Sequence, residues 1–366
     1  MITGETKNIN GAAMDDGDAT TGSAGKSSLR TTAIFVALPV IAALAGYITL
    51  LGHKPMLDEQ FLLSWLGAAR KLEGASSLAG FFAWPGFENF DHWGPVTHAF
   101  LAAGGALFAK QTALFRLCSL LVHCISSALV YFVSRGLKLN RGVACAAACL
   151  FALYPLSVEA ISWCGGFGAA LGGMFLLLSL ALYCRMRKSG LSWAWLSGSL
   201  VSYALAMGCS SNFWFAPLMV LWLEVASLLF RKDETVKRDL TQIAVPVLIF
   251  FMISAVCIAA SGLDAINQPE LRINKIAVLF RDLIMPINQI SWKGYSKEYR
   301  LAYLVLGLLA PALAFGLWRS KEARSGLLVS VGWLVIAALP FCGVVLTEPG
   351  FYGQRWLYVA AVPLAI

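Results

Sequence analysis

Apolar runs long enough to form membrane helices recur along the chain, separated by short polar connections. About 20 apolar residues carry an α-helix across roughly 30 Å of hydrocarbon. The runs fall at residues 31–52, 112–134, 141–160, 166–184, 192–209, 212–230, 242–262, 300–318 and 325–346. This pattern predicts an all-α polytopic integral membrane protein with a bundle of about ten membrane helices.

Both ends of the chain depart from this pattern. Residues 1–30 are rich in Gly, Ser, Thr and Asp and have no apolar periodicity, which predicts a disordered tail. A membrane domain over residues 31–366 follows the tail. A last apolar run starts at Trp356 and stops with the sequence at Ile366, and it is too short to cross a bilayer. We therefore expect a C-terminally truncated sequence.

The composition agrees with a membrane protein and excludes an ordinary soluble domain. The 366 residues are 58% hydrophobic and 13% charged. Soluble domains have roughly 45–50% apolar and about 25% charged residues. Most of the nine cysteines lie inside apolar runs, where we expect them to act as small packing residues.

Basic residues concentrate in every second connection between the predicted helices. They are Arg135, Lys138, Arg141, Arg185, Arg187, Lys188, Arg231, Lys232, Lys237, Arg238, Arg319, Lys321 and Arg324. The positive-inside rule places these connections and the N-terminal tail in the cytoplasm. We expect an integral protein of a bacterial inner (cell) membrane. The lipid bilayer is its predicted partner. Because basic residues concentrate in these connections, we do not interpret the net charge of +8 as a nucleic-acid-binding surface, and we expect no nucleic acid as a partner.

The same rule places two long segments, 53–111 and 263–299, on the outer face. Within them, residues 57–72 and 271–287 have apolar positions at helical spacing with charged positions between. Such amphipathic helices lie in the plane of the membrane interface. Trp84, Trp93 and Trp292 suit the aromatic belt at the same level.

Carboxylates and histidines on the outer face are the first candidates for chemistry. Asp58 and Glu59 are adjacent after the first span and can bind a divalent metal or act as a general base. Alternatively, they solvate the start of an interfacial helix. His98 closes a polar segment, 88–98, whose spacing matches no zinc signature. This segment holds ligands or proton carriers, or it is a polar turn.

The stretch LFALYPLSVEAISW holds the most unusual acid of the chain, Glu159. Pro155 breaks the apolar run, and Glu159 follows between apolar neighbours. A partly buried carboxylate usually has a partner. We expect a role in function or in a structural network.

Ionisable residues inside the apolar runs are the second group of candidates. His123 lies in the middle of a span and either has a function or bonds a neighbouring helix as a neutral imidazole. For Glu224, pairing with another helix is the expected outcome. Arg281 and Arg355 lie at the predicted outer interface, where they hold a lipid phosphate or extend towards the headgroups.

Four stretches resemble one known family in the same order along the chain. In chain order they are HWGPVTHAFLAAGGALFAKQTALFRLCSLLVHCISSALVY, LFALYPLSVEAISW, FRDLIMPINQISWKGYS and QRWLYVAAVPLAI. The family is the GT-C-type polytopic membrane glycosyltransferases, in the branch related to transmembrane, tetratricopeptide-repeat O-mannosyltransferases. The resemblance covers about residues 31 to 366 and implies a GT-C-like bundle. No tetratricopeptide repeats are visible in this sequence.

The resemblance implies a reaction and assigns roles. Such enzymes move a sugar from a polyprenyl-phosphate donor to a protein or glycan acceptor on the periplasmic or lumenal face. Asp58 would be the catalytic carboxylate, with Glu59 beside it, and would be the ligand of any divalent cation, Mg²⁺ or Mn²⁺. The other residues predicted for the site are Glu159 for catalysis and Arg355, Arg281, His98 and His123 for binding of substrate or lipid phosphate.

Several positions that are charged or polar in the family differ here. Tyr154 replaces the histidine of the corner, Gly94 replaces an arginine, and residues 167–169 replace an Arg-x-Asp motif. The Ser-Lys-Glu of the next outer turn is Ser-Ser-Asn at 210–212. An alternative hypothesis follows, in which the chain is a catalytically degenerate GT-C-like protein that binds lipid or acts as a scaffold.

Overall fold

A computed structural model describes residues 21–52, 94–108, 111–155, 157–189, 192–230, 240–261, 321–338, 358–359 and 361–365. These residues are helical or lie in short turns, and no strand occurs among them. The α-helices are α1 (Thr21–Tyr47), α2 (Pro95–Phe108), α3 (Thr112–Gly136), α4 (Arg141–Ala152), α5 (Ser157–Ser162), α6 (Phe167–Ser189), α7 (Trp193–Cys209), α8 (Ala216–Phe230), α9 (Leu240–Ser261), α10 (Lys321–Ala338) and α11 (Ala361–Ala365). Three 3₁₀ helices, Ile48–Gly52, Cys164–Gly166 and Ser211–Phe215, join them.

Four of these helical stretches are long and apolar enough to cross a membrane. They are Arg30–Gly52, Thr112–Gly136, Cys164–Ser189 and Ile243–Ala260. Large apolar side chains on α1 and α9, among them Ile34 and Met252, are exposed. Since a bilayer would cover such faces, the fold confirms an all-α polytopic membrane protein.

Two predicted boundaries differ from the structure. The run 141–160 is not one continuous helix, because α4 ends at Ala152 and the separate six-residue helix α5 follows. The cause is Pro155, which has no N–H to donate and whose ring would clash with the carbonyl one turn earlier. At the other boundary, α1 begins at Thr21, earlier than residue 31, because extending a helix costs far less than starting one.

The centre of the bundle is α6, which packs against α3 and α7. Between α6 and α7, the Ser199 hydroxyl donates to the Ser179 carbonyl oxygen at 2.8 Å, and the two hydroxyl oxygens are 3.1 Å apart. Small residues allow this close approach, which supplies helix association where lipid replaces water.

Two of the basic connections lie together at one end of the bundle, which we call the basic end (residues 134–141, 185–189 and 192–195). Lys188 Nζ donates to the Arg135 carbonyl oxygen at 3.0 Å. Arg185 lies over the Trp195 ring, 5.5 Å from its centroid. The alternation of basic connections thus agrees with the fold at these two places. The side of a membrane that this end faces stays a prediction.

The opposite end, which we call the Pro155 end, contains residues 48–52, 112–116, 153–155, 157–167 and 209–215. Here Tyr47, the last residue of α1, donates its hydroxyl to the Tyr154 carbonyl oxygen at 2.7 Å. This bond satisfies a carbonyl at the break before Pro155. The predicted interfacial helices 57–72 and 271–287 and the run 300–318 lie outside the described residues.

Candidate functional site

Glu159 lies in α5 at the Pro155 end, and it is only 8% exposed. Its carbonyl oxygen accepts a bond from the Trp163 amide at 3.3 Å. A Cβ at Gly166 would come within 2.7 Å of the same oxygen, so only glycine allows this approach. The chain therefore folds back tightly over the end of α5. The sequence predicted both the helix break and the burial of this acid.

A second buried charge at this end, Arg116, has no role in the predictions from sequence. It lies in the first turns of α3 and is 1% exposed. Its Nε donates to the Ser162 carbonyl oxygen at 2.8 Å, and its Nη1 donates to the Leu50 carbonyl oxygen at 3.3 Å. The signal that could have found it is an ionisable residue inside an apolar span.

These contacts bring Glu159 and Arg116 into one region. Ser162, which Arg116 binds, is one turn of α5 after Glu159. Leu50 lies in the 3₁₀ helix that ends the first span, at Gly52. Asp58 and Glu59 follow Gly52 and lie outside the described residues, as do Arg281 and Arg355, so their predicted roles stay predictions.

His98 lies in α2, whose first turn packs against the end of α7 through a bond from the Thr97 hydroxyl to the Cys209 carbonyl oxygen at 2.9 Å. The His98 side chain is half-buried, and burial lowers its pKa from the ordinary value. Because that value is about 6.5, His98 is neutral at pH 7. A neutral imidazole can accept a proton or a hydrogen bond, whereas it offers no charge to a phosphate.

His123 is fully buried in the middle of α3, and both ring nitrogens have protein partners. Nε2 lies 3.0 Å from the Ala152 carbonyl oxygen and must donate to it. Nδ1 lies 2.7 Å from the Tyr358 hydroxyl and therefore accepts from it. The rings of Tyr47 and Phe151 are each 5.4 Å away. This is the geometry of a neutral imidazole bonding a neighbouring helix, and its predicted part in substrate binding stays a prediction.

Residues 167–169 form packed interior. Phe167 is buried and stacks on Phe100 with ring centroids 3.9 Å apart. A Cβ at Gly168 would come within 2.8 Å of the Thr97 hydroxyl oxygen. Ala169 is also buried. Phe167 and Gly168 contact α2, and Gly168 also lies close to the Cys209 carbonyl oxygen of α7. Charged side chains at 167 and 169 would require rearrangement of this packing.

Another buried acid, Glu224, lies towards the basic end and is 2% exposed. Its Oε1 accepts a bond from the Tyr183 hydroxyl at 2.7 Å and forms an ion pair with Arg187 Nε at 2.9 Å. The predicted pairing of Glu224 with another helix is confirmed.

Metal ligands do not cluster in the part of the chain that the structure describes: no group of three or more His, Cys, Asp or Glu residues occurs there. The predicted cation ligand Asp58 lies outside that part. The prediction of Mg²⁺ or Mn²⁺ at Asp58 therefore has no test in this fold.

Comparison of the chain with protein-family models, with curated proteins and with solved structures gave no match.

Proposed function

We propose that the chain is a GT-C-type membrane glycosyltransferase, with about ten membrane helices, which transfers a sugar from a polyprenyl-phosphate donor to a protein or glycan acceptor. The observation that carries the proposal is the arrangement at the Pro155 end. Buried Glu159 lies there in α5, and buried Arg116 donates to the carbonyl oxygen of Ser162 at the end of the same helix. The first span also ends there, at Gly52, and Asp58 follows shortly after it in the sequence.

In this proposal Asp58 accepts the proton of an acceptor hydroxyl as its oxygen bonds to the anomeric carbon of the sugar. The bond between that carbon and the phosphate oxygen breaks, and the lipid phosphate leaves with the electron pair. Arg355 and Arg281 stabilise the charge on the leaving phosphate. A divalent cation held by Asp58 would supply further charge stabilisation. Glu159 orients the acceptor from its buried position.

Replacement of Asp58 by asparagine tests this assignment. The Asp58→Asn protein, purified and reconstituted with polyprenyl-phosphate mannose, Mg²⁺ and a panel of hydroxyl-bearing peptides, should show no transfer above background. The matched control is Asp16→Asn in the N-terminal segment, which removes the same charge and should transfer like the wild type. Unchanged transfer by an Asp58→Asn protein that inserts normally into the membrane would contradict a catalytic role for Asp58.

The packing of Phe167, Gly168 and Ala169 favours a second candidate function. Because apolar contacts occupy the positions of the family's charged motif, the chain would bind the lipid-linked sugar without transferring it. Equilibrium binding of polyprenyl-phosphate mannose with Mg²⁺, measured beside turnover on the same preparation, separates the two. Binding without turnover over the whole acceptor panel selects the degenerate protein.

The proposed location is a bacterial inner (cell) membrane with the N-terminus in the cytoplasm. Its support is the basic end, where the α3–α4 turn and the end of α6 meet. Reporter fusions after residue 140 and after residue 210 should report opposite sides, with residue 140 in the cytoplasm. Reports from the same side, or the reverse order, would contradict this orientation.

A further inference from the structure

Arg116 joins two parts of the chain that are far apart in sequence. One is the 3₁₀ helix that ends the first span, where Leu50 offers its carbonyl oxygen. The other is α5, whose last residue, Ser162, offers its carbonyl oxygen. A single guanidinium in the first turns of α3 therefore contacts both the end of the first span and α5, the helix that carries Glu159.

The chemistry of these two carbonyls explains why an arginine lies there. Carbonyls in the last turn of a helix lack partners within the helix and carry partial negative charge. A planar guanidinium directs several N–H groups at fixed angles, so it can serve two acceptors at once. A lysine is a single point of charge and cannot reproduce this fork.

We propose that Arg116 is a positioning residue: it ties the exit of the first span to α5 and so holds Glu159 in place at the Pro155 end. The role of Glu159 rests on the proposed function. The tie itself rests only on the hydrogen bonds of Arg116.

A separate contact keeps the fold when Arg116 is replaced. The Tyr47 hydroxyl bonds the Tyr154 carbonyl oxygen at 2.7 Å and connects α1 to the start of the corner without Arg116. The helix packing of α1 with α3 and α4 is also independent of the guanidinium. Loss of the tie should therefore loosen the two segments locally.

Hydrogen exchange by mass spectrometry on the full chain in nanodiscs measures the tie directly. In Arg116→Gln, peptides covering 48–52 and 157–162 should both exchange about tenfold faster or more, because one group serves both segments. Peptides of α7 should keep the wild-type rate. Arg116→Lys, which keeps the charge, should give a smaller increase. Arg185→Gln, an exposed arginine at the basic end, is the matched control and should leave both segments unchanged.

Two exchange results would overturn the tie. One is faster exchange throughout the chain in Arg116→Gln, which would mean general destabilisation. The other is wild-type exchange of both segments in Arg116→Lys, which would mean that the fork geometry is not needed. The lysine variant keeps the charge, so its exchange at both segments tests the fork geometry even where the glutamine variant does not fold.

Transfer kinetics test the link between the tie and the site. With polyprenyl-phosphate mannose as donor, Arg116→Gln should lower kcat at least tenfold with little change in KM, and Arg116→Lys should restore part of it. Loosened segments with wild-type kcat would refute positioning. A wild-type protein without transfer would refute the proposed function, whereas the exchange pattern would still decide the tie.

Discussion

At the basic end of the bundle, Glu224 of α8 meets Tyr183 and Arg187, which lie one turn apart on α6. At the Pro155 end, Arg116 of α3 donates to the backbone carbonyls of Leu50 and Ser162. Both arginines are largely buried, at 11% and 1% exposure for Arg187 and Arg116. The Glu224 group thus uses contacts between side chains of two helices, and Arg116 uses contacts from a side chain to the ends of two helical segments.

The difference indicates two structural roles for these buried charged groups. An ion pair between side chains on α6 and α8 connects two helices through partly or fully buried charged groups. A guanidinium at helix ends instead fixes the points where the backbone leaves the bundle. Functional groups concentrate on such connecting segments because a rigid scaffold positions them. The comparison therefore assigns stability to the Glu224 group and positioning to Arg116.

The largest effect should come from removal of the carboxylate of Glu224. Glu224→Leu leaves the Arg187 charge buried without its counter-ion, and we expect a loss of about 3–5 kcal/mol in the free energy of unfolding. Unfolding in bicelles by steric trapping measures it. The double variant Glu224→Leu/Arg187→Leu should recover most of the loss. A single variant as stable as the wild type would contradict a locking role for this pair.

Packing at the Pro155 end should respond next. A Cβ at Gly172 would come within 2.2 Å of the Phe213 ring, so Gly172→Val overpacks the contact between α6 and the 3₁₀ helix after α7. We expect a loss of about 1–3 kcal/mol in stability, measured in the same way. Gly326→Ala is the control, because nothing lies within 4 Å of its Cβ. Equal stability of the two variants would mean that Gly172 is not closely packed.

Hydroxyl removal compares the Glu224 group with the buried His123 at matched chemistry. Tyr183→Phe removes the donor to Glu224, and Tyr358→Phe removes the donor to His123. Each should cost about 1 kcal/mol, with the larger loss in Tyr183→Phe because its acceptor is a carboxylate. Thermal melting in detergent measures both. The reverse order would place the stronger polar contact at His123.

The smallest effect should appear in the pH dependence of stability. Burial lowers the pKa of His98, so between about pH 6.5 and the lower pKa of the folded state the unfolded chain binds more protons. Stability should therefore fall as the pH falls through this window. Melting temperatures at pH 7.5 and 5.5 should differ less in His98→Gln than in the wild type. Identical differences would show that His98 does not contribute.

Much of the fold follows from local features of the sequence. Span length, the break at Pro155 and the pairing of Glu224 were all predictable, because each depends on hydrophobic run length, proline geometry or the cost of a buried charge. The extent of the run 141–160 was wrong, since composition alone does not show where a helix ends when apolar residues continue past a proline.

The candidate site depends more on contacts that no local pattern contains. The sequence by itself determined that Glu159 follows a broken helix and is buried, and that membrane helices carry basic residues at alternate connections. Only the tertiary structure decided that Arg116 binds Leu50 and Ser162, and that His123 bonds Ala152 and Tyr358. The physical reason is that hydrophobicity and proline act within a few residues, whereas these bonds join helix ends brought together by the packing of the bundle.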